Sequence, residues 1–342
     1  MSDRDTTVNP PLQEKQSRDA ESDLSDADFF PVSPDTLNPD ARTDFPVYLR
    51  RGARYVLYTN ARDYFSRDLK ERLVQNGIDT VYIPLQQQTS YASYIKENLE
   101  GILNNPEISE EVRARIFLDT TASQVKNIFE NQESALDAQT FEGVHHVVNS
   151  SLSFLLTRAA IENIIRFLSH DYQTFSHSVH VFTYTMMLMN YMSEYWEKET
   201  LVDAGVGAML HDIGKTHIPA SVLNKPGKLD EKEWQQIKQH PGYGTRMCTN
   251  VRLPQTSFDC IRFHHEKYDG SGYPFGIKKD EIPVPVRVIT CCDVYDAITS
   301  KRPYAPAKTP FEALKIMGEE MKGAFDPEIF KSLIRVLGRM NK

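Results

Sequence analysis

The stretch Val202-Asp-Ala-Gly-Val-Gly-Ala-Met-Leu-His211-Asp212-Ile-Gly-Lys215 decides how this chain folds. Val202, Ala204, Val206, Ala208, Met209 and Leu210 make the run before His211 almost wholly apolar or small, which predicts a helix buried on most of its surface. Gly214 is the expected stop for it. The helix therefore delivers an imidazole and a carboxylate, His211 and Asp212, to the edge of a core. Buried polar groups of this kind need a partner or a metal. Lys215 follows one turn after His211. It reads either as a cation for a phosphate oxygen or as a partner for the helix dipole.

Working outward, further donors fall at intervals suited to one set per helix or helix pair: His177, His240, His264-His265 and Asp293. A compact bundle brings such side chains to one centre. With His211 and Asp212 they exceed the three protein ligands of a single catalytic zinc and suit two metals sharing one carboxylate. Imidazole with carboxylate favours iron, manganese, nickel or zinc over calcium or magnesium. Directly after His264-His265 comes Asp269-Gly-Ser-Gly-Tyr-Pro274. Gly270 and Gly272 allow a backbone to approach a ligand closely, and Tyr273 offers a ring to stack or a hydroxyl to donate.

The rest of the chain bounds the class. Among 342 residues, Lys+Arg 39 against Asp+Glu 47 gives a net charge of −8, which excludes a basic surface for long nucleic acid. Four cysteines without a Cys-x-x-Cys make neither a disulfide framework nor a zinc ribbon. No apolar run is long enough to span a bilayer and the start is polar, so a cytoplasmic, reduced protein is expected. Residues 1–36 read as a disordered acidic tail. Residues 37–104 read as a small α/β regulatory module. Its expected strands lie at Val47-Tyr-Leu, Tyr55-Val-Leu-Tyr and Thr80-Val-Tyr-Ile, and its helix at 65–76 is closed by Asn76-Gly77. A regulatory partner is expected through this module. Residues 105–169 read as two linker or dimerisation helices. The stripe Phe141, Val144, Val148, Leu152, Leu155, Ala159 and Ile165 is either core or the seam of a homodimer. His145-His146 reads as surface or filler, and Cys291-Cys292 as buried apolar positions. From 170 to 338 the pattern stays helical. The fold class is therefore α+β: a small α/β module, a helical linker and an all-α bundle.

His211-Asp-Ile-Gly-Lys215 with His264-His-Glu-Lys-Tyr-Asp-Gly-Ser-Gly-Tyr-Pro274 resembles the HD-GYP family of metal-dependent phosphohydrolases. The resemblance continues through Leu223-Asn-Lys-Pro-Gly-Lys-Leu229, His240-Pro-Gly-Tyr-Gly244, Asp293-Val-Tyr-Asp-Ala297 and Thr299-Ser-Lys-Arg-Pro-Tyr304. It implies a helical HD-type bundle that hydrolyses the bacterial second messenger cyclic di-GMP to pGpG, and onward to GMP if a second cut follows. It also implies one metal held by His177, His211, Asp212 and Asp293, and another by Asp212, His240, His264 and His265. Asp212 then bridges, and two iron or manganese ions are expected per chain. Lys215 and Arg302 match phosphate-contacting positions, and Gly272, Tyr273 and Pro274 the loop beside the substrate. The sequence departs from the family at three places. Gln173 stands where some members carry a metal-binding Glu. His180 stands where Arg is common, and reads as a new polar contact to the site or as a histidine satisfied behind the site or at the surface. Ala305 follows Tyr304 in place of Arg or Lys, unless Lys308 reaches in from one turn later.

Two metals answer the difficulty of a phosphodiester: they lower the pKa of a bridging water and clamp the nonbridging oxygens. Asp212 and Lys215 are the expected catalytic residues. The competing readings are a catalytically weak cyclic dinucleotide sensor, kept open by Gln173 and Ala305, and a mononucleotide HD phosphohydrolase, which the Gly-Tyr-Pro loop disfavours.

Overall fold

The computed structural model describes residues 26–39, 41–130, 135–168, 176–192, 196–300 and 307–340. The expectations for residues 1–25, Gln173, Arg302, Tyr304 and Ala305 lie outside them. The protein is α+β, and the chain divides into two compact units, Met1–Tyr91 and Ala92–Lys342.

The first unit is built on a four-stranded antiparallel sheet of order β1-β4-β2-β3. The strands are β1 (Phe29–Val32), β2 (Val47–Arg51), β3 (Arg54–Thr59) and β4 (Val81–Pro84). β2 and β3 pair Leu49 with Val56 and Arg51 with Arg54 around Gly52, whose φ of 63° favours glycine. Helix α1 (Arg67–Gln75) is capped by Ser66 and followed by Gly77 at φ 64°. Leu37, Phe45, Val47, Phe65, Leu73, Val81 and Ile83 form the core. The expected acidic tail reached residue 36, yet Phe29–Val32 is a strand. Phe29 stacks on Tyr55 at 4.0 Å, and Pro31 is tolerated because β1 is an edge. The expected boundary at 104 also shifts to Tyr91, because Leu99 and Leu103 join the helical core.

The second unit holds the helices α2 (Gln88–Glu97, in its later part), α3 (Leu99–Leu103), α4 (Glu110–Glu130), α5 (Ala138–Leu155), α6 (Arg158–Leu168), α7 (Ser176–Tyr191), α8 (Lys198–Leu210), α9 (Ala220–Leu223), α10 (Glu231–Ile237), α11 (His240–Met247), α12 (Gln255–Phe263), α13 (Val284–Thr299), α14 (Pro310–Glu319) and α15 (Pro327–Met340). Two helices were expected over 105–169, and three form among the described residues. Thr157 breaks the run by capping α6: its hydroxyl accepts the Ala160 N–H. The expected dimer stripe is also corrected. Val144, Val148, Leu152 and Leu155 are 0–4% exposed within the single chain, so this face of α5 is already spent on the chain's own core. His145 and His146 are exposed, His146 meeting the Lys96 carbonyl, and Cys291 and Cys292 are buried.

The centre of the unit is α8, packed on α7 and α12, with α13 against α7. Gly207 makes the closest of these contacts possible, since a Cβ there would lie 2.6 Å from the Cys260 Cβ. After Leu210 the chain tightens into a 3₁₀ turn, Ile213–His217, which packs on α11. A Cβ on Gly214 would lie 2.0 Å from the His240 carbonyl oxygen. Gly214 is therefore more than a stop signal. Its missing side chain lets the two segments that carry Asp212 and His240 touch. No helix among the described residues is long and apolar enough to cross a membrane.

Candidate metal centre

Helix ends converge here. His211 closes α8, His240 opens α11, His264 closes α12, and Asp293 and His177 face them from α13 and α7. Asp212, His240, His264 and His265 present donor atoms that all lie within 4.8 Å of one another, and so do His177, His211 and Asp212. Asp212 stands in both sets. Its Oδ2 lies 3.5 Å from His177 Nε2 and 3.4 Å from His211 Nε2, while its Oδ1 lies 3.3 Å from His240 Nε2 and 3.8 Å from His264 Nε2. Asp293 adds Oδ1 at 3.1 Å from His177 Nε2 and Oδ2 at 3.7 Å from His265 Nδ1. All the metal donors proposed from the sequence are thus brought together.

The hydrogen bonds behind the rings fix which nitrogens face inward. Nδ1 of His211 meets the Ala208 carbonyl at 2.8 Å, that of His240 the Ile237 carbonyl at 2.7 Å, and that of His264 the Ile261 carbonyl at 3.0 Å. A carbonyl only accepts, so each Nδ1 carries the hydrogen, and Nε2 of the neutral ring is left as a lone pair. Nδ1 of His177 similarly donates to Asp296 Oδ2 at 2.7 Å. Four lone pairs therefore point at the Asp212 carboxylate. His240 Nε2 and His264 Nε2 come within 3.0 Å of each other. Two acceptors held that close, beside a carboxylate, repel unless a cation lies between them. His177 Nε2, His211 Nε2 and Asp212 Oδ1 are buried without a hydrogen-bond partner. The arrangement fits divalent metal.

The electrostatics agree. Burial pushes the His264 imidazole well below its usual range, and pushes His265 down to about 3, which keeps both rings neutral and able to ligate. Burial opposes ionisation of Asp212 and Asp293, but the charge of Lys215 and the surrounding histidines more than offset it at Asp212, as the adjacent His177 ring does at Asp293. Both carboxyls lie well below the usual carboxylate range. Burial also disfavours the charged form of His177, yet Asp293 and Asp296 outweigh it and raise the ring to about 9. Positive charge is favoured where its Nε2 points.

The substrate positions are less uniform. Lys215 Nζ bonds Asp212 Oδ2 and is about one-third exposed. Gly272 approaches its own chain, not a ligand: a Cβ there would lie 2.5 Å from the His265 carbonyl oxygen. Its absence lets the loop fold back, so that the Tyr273 N–H bonds that oxygen and the Tyr273 ring stacks on His265 at 4.7 Å. Pro274 is exposed beside it. Burial, followed by the charges of Asp293 and Asp212, raises the Tyr273 phenol, so its hydroxyl stays protonated. Lys308 is exposed just ahead of α14, and its N–H bonds the Ile298 carbonyl.

Two residues, Asp296 and Glu266, were missed from sequence. Asp296, 1% exposed, accepts from His177 with one oxygen and from His180 Nδ1 with the other, at 2.7 Å each. It lies one helical turn after Asp293, inside the Asp293-Val-Tyr-Asp-Ala297 motif, which gave it no role of its own. His180, expected at the surface or behind the site, is its second arm and is buried. Glu266 accepts the N–H groups of Phe275 and Gly276 and anchors the loop after His265.

A helical bundle closing on a shared aspartate among histidines is the architecture of the HD class of metal-binding hydrolase domains. A family model described as HD domain matches residues 154–329, and with the motifs above this chain belongs to the HD-GYP family. The match begins inside α5, earlier than the expected start at 170. The chain is 34% identical over 234 residues to the cyclic di-GMP phosphodiesterase PA4108 of Pseudomonas aeruginosa, covering 68% of this chain and 56% of that protein. It is 42% identical over 130 residues to the 3'3'-cGAMP-specific phosphodiesterase 3 of Vibrio cholerae, covering 38% of this chain and 28% of that protein. The chain thus spans little more than half the length of the first of these relatives and less of the second. A solved structure of Bd1817, an HDG"Y"P protein from Bdellovibrio bacteriovorus, shares the fold with a TM-score of 0.62 at 20% identity. It covers 91% of this chain and 100% of that one.

Proposed function

We propose that this chain is a metal-dependent cyclic dinucleotide phosphodiesterase that opens cyclic di-GMP to pGpG. The convergence of four imidazole lone pairs on the two oxygens of Asp212 carries the reading. His177, His211, Asp212 and Asp293 would hold one divalent cation, and Asp212, His240, His264 and His265 the other. The donor set suits iron or manganese. When bound, the cations supply Lewis acidity for the phosphate oxygens and lower the pKa of a coordinated water. Lys215 sets a positive charge at the rim, held in place by Asp212, where a nonbridging phosphate oxygen gains from it in the transition state. The protonated Tyr273 hydroxyl donates to the substrate, and Glu266 keeps its loop folded against His265. Turnover by purified, metal-loaded protein of cyclic di-GMP, 3'3'-cGAMP, pGpG and a mononucleotide panel tests this. Cleavage confined to mononucleotides, or tight binding of cyclic di-GMP without turnover, overturns it.

A 3'3'-cGAMP substrate is the second reading. It is favoured by the 42% identity to a relative named for that dinucleotide, and the same panel decides it.

A further inference from the structure

Trp234 is 43% exposed on α10, and its ring meets Tyr273 edge to face at 6.1 Å. Lys238 Nζ lies over both rings, 5.6 Å from the Trp234 centroid and 5.7 Å from that of Tyr273. Tyr273 in turn stacks on His265. A run of ring-to-ring contacts with a cation beside it thus leads from a metal-donor ring out to an open indole. The helix that presents the indole is clamped. Asp230 and Glu233 form a capping box at its start, and both Glu233 oxygens accept from Lys225 Nζ at 2.6–2.7 Å. An exposed aromatic by itself is ordinary on a protein surface. One held rigidly beside a phosphodiester-cleaving centre, with a cation over its face, has the composition of a nucleotide-stacking platform.

We propose that Trp234 and Lys238, with Tyr273, form the platform on which a nucleobase of the substrate stacks while the scissile phosphate lies at the metal centre. Lys238 adds charge toward the second phosphate. This rests on the cyclic dinucleotide reading above. Stacking uses the π-face that every base has, so Trp234 contributes affinity without choosing between guanine and adenine.

The chain has two tryptophans, Trp196 and Trp234, so Trp196→Phe leaves Trp234 as the sole emitter. Titrating that metal-loaded protein with GMP is expected to quench its fluorescence, while ribose 5-phosphate, which lacks a base, leaves it unchanged. In steady state, Trp234→Ala is expected to raise KM on the order of tenfold for cyclic di-GMP and 3'3'-cGAMP alike, with kcat and metal content retained. Trp234→Phe recovers part of the loss. Equal response to GMP and ribose 5-phosphate, an unchanged KM in Trp234→Ala, or metal loss from that variant overturns the platform. Absence of cyclic dinucleotide turnover by the unmodified protein fails the enzymatic reading instead, and the GMP titration still judges this one.

Discussion

His177 Nδ1 donates to Asp296 Oδ2 at 2.7 Å, and this bond is what turns His177 Nε2 toward Asp293 and Asp212. Asp296 is held from its other side by His180, so one buried carboxylate orients two rings of α7. Carboxylates placed behind a ligand histidine fix its tautomer and strengthen it as a donor. Replacing Asp296 with Asn puts an NH2 group against one of the two Nδ1–H donors. The cation at the His177 set is expected to bind about 10- to 100-fold more weakly, while the His240–His264–His265 set keeps its metal. Metal titration with elemental analysis reads this directly. Equal loss from both sets, or from neither, would show that Asp296 does not act through His177.

Asp212 and Lys215 separate metal holding from substrate handling. Asp212→Ala removes the only carboxylate shared by both sets, so both metal content and hydrolysis are expected to fall. Full loading with retained activity in that variant would sink the shared-carboxylate reading. Lys215→Ala leaves every proposed metal donor in place and removes a positive charge from beside Asp212, so cation binding is expected to be retained or to tighten. Turnover is expected to drop by about 10- to 100-fold, the value of one charge-assisted contact. Metal loss in Lys215→Ala would make the lysine a structural partner of Asp212 alone.

Much of this centre was legible because its donors come as sequence doublets beside glycine: His211-Asp212 before Gly214, and His264-His265 before Gly270 and Gly272. What escaped was most of what acts from behind. Asp296 lies in an otherwise buried helix, where a lone acid carries no sign of its partner. His180 was read as satisfied behind the site or at the surface, and the Asp296 carboxylate against it decides for the first. Strand β1 escaped for a different reason: four residues containing a proline, after an acidic run, have no visible period, and only pairing with β4 makes them a strand. The α5–α6 break left a single mark, Thr157, without Gly or Pro beside it. The apolar stripe of α5 was read correctly as a buried face, but periodicity does not say whether the cover is the same chain or a second copy.

Gly214 tests whether backbone proximity builds the site. A Cβ there would meet backbone, the His240 carbonyl at 2.0 Å and the Gly244 nitrogen at 2.4 Å, and backbone has no far end to swing aside. Gly214→Ala is expected to cost about 3 kcal/mol, as overpacking of a tight contact does, and to lower metal content by moving His240 away from Asp212. The denaturant midpoint and elemental analysis check the two effects together. Wild-type stability with full metal loading would mean that the turn and α11 separate at little cost.

Metal removal tests the electrostatic argument as a whole. Four Nε2 lone pairs and the carboxylates of Asp212 and Asp293 face one small volume, and His240 Nε2 and His264 Nε2 are only 3.0 Å apart. Without a cation these acceptors repel, or take up protons that burial disfavours at His264 and His265. A ligand that binds only the folded state stabilises it by about 2.7 kcal/mol at a hundredfold excess over its dissociation constant. For a domain of this size that corresponds to roughly 5–10 °C in Tm. Chelation followed by desalting is therefore expected to lower Tm by that order, and added manganese or iron to restore it. Magnesium should restore it poorly, because it prefers oxygen ligands and gives up its water reluctantly. An unchanged Tm after verified metal removal would mean that the converging donors are satisfied within the protein, and the assignment of the cluster to metal would fall with it.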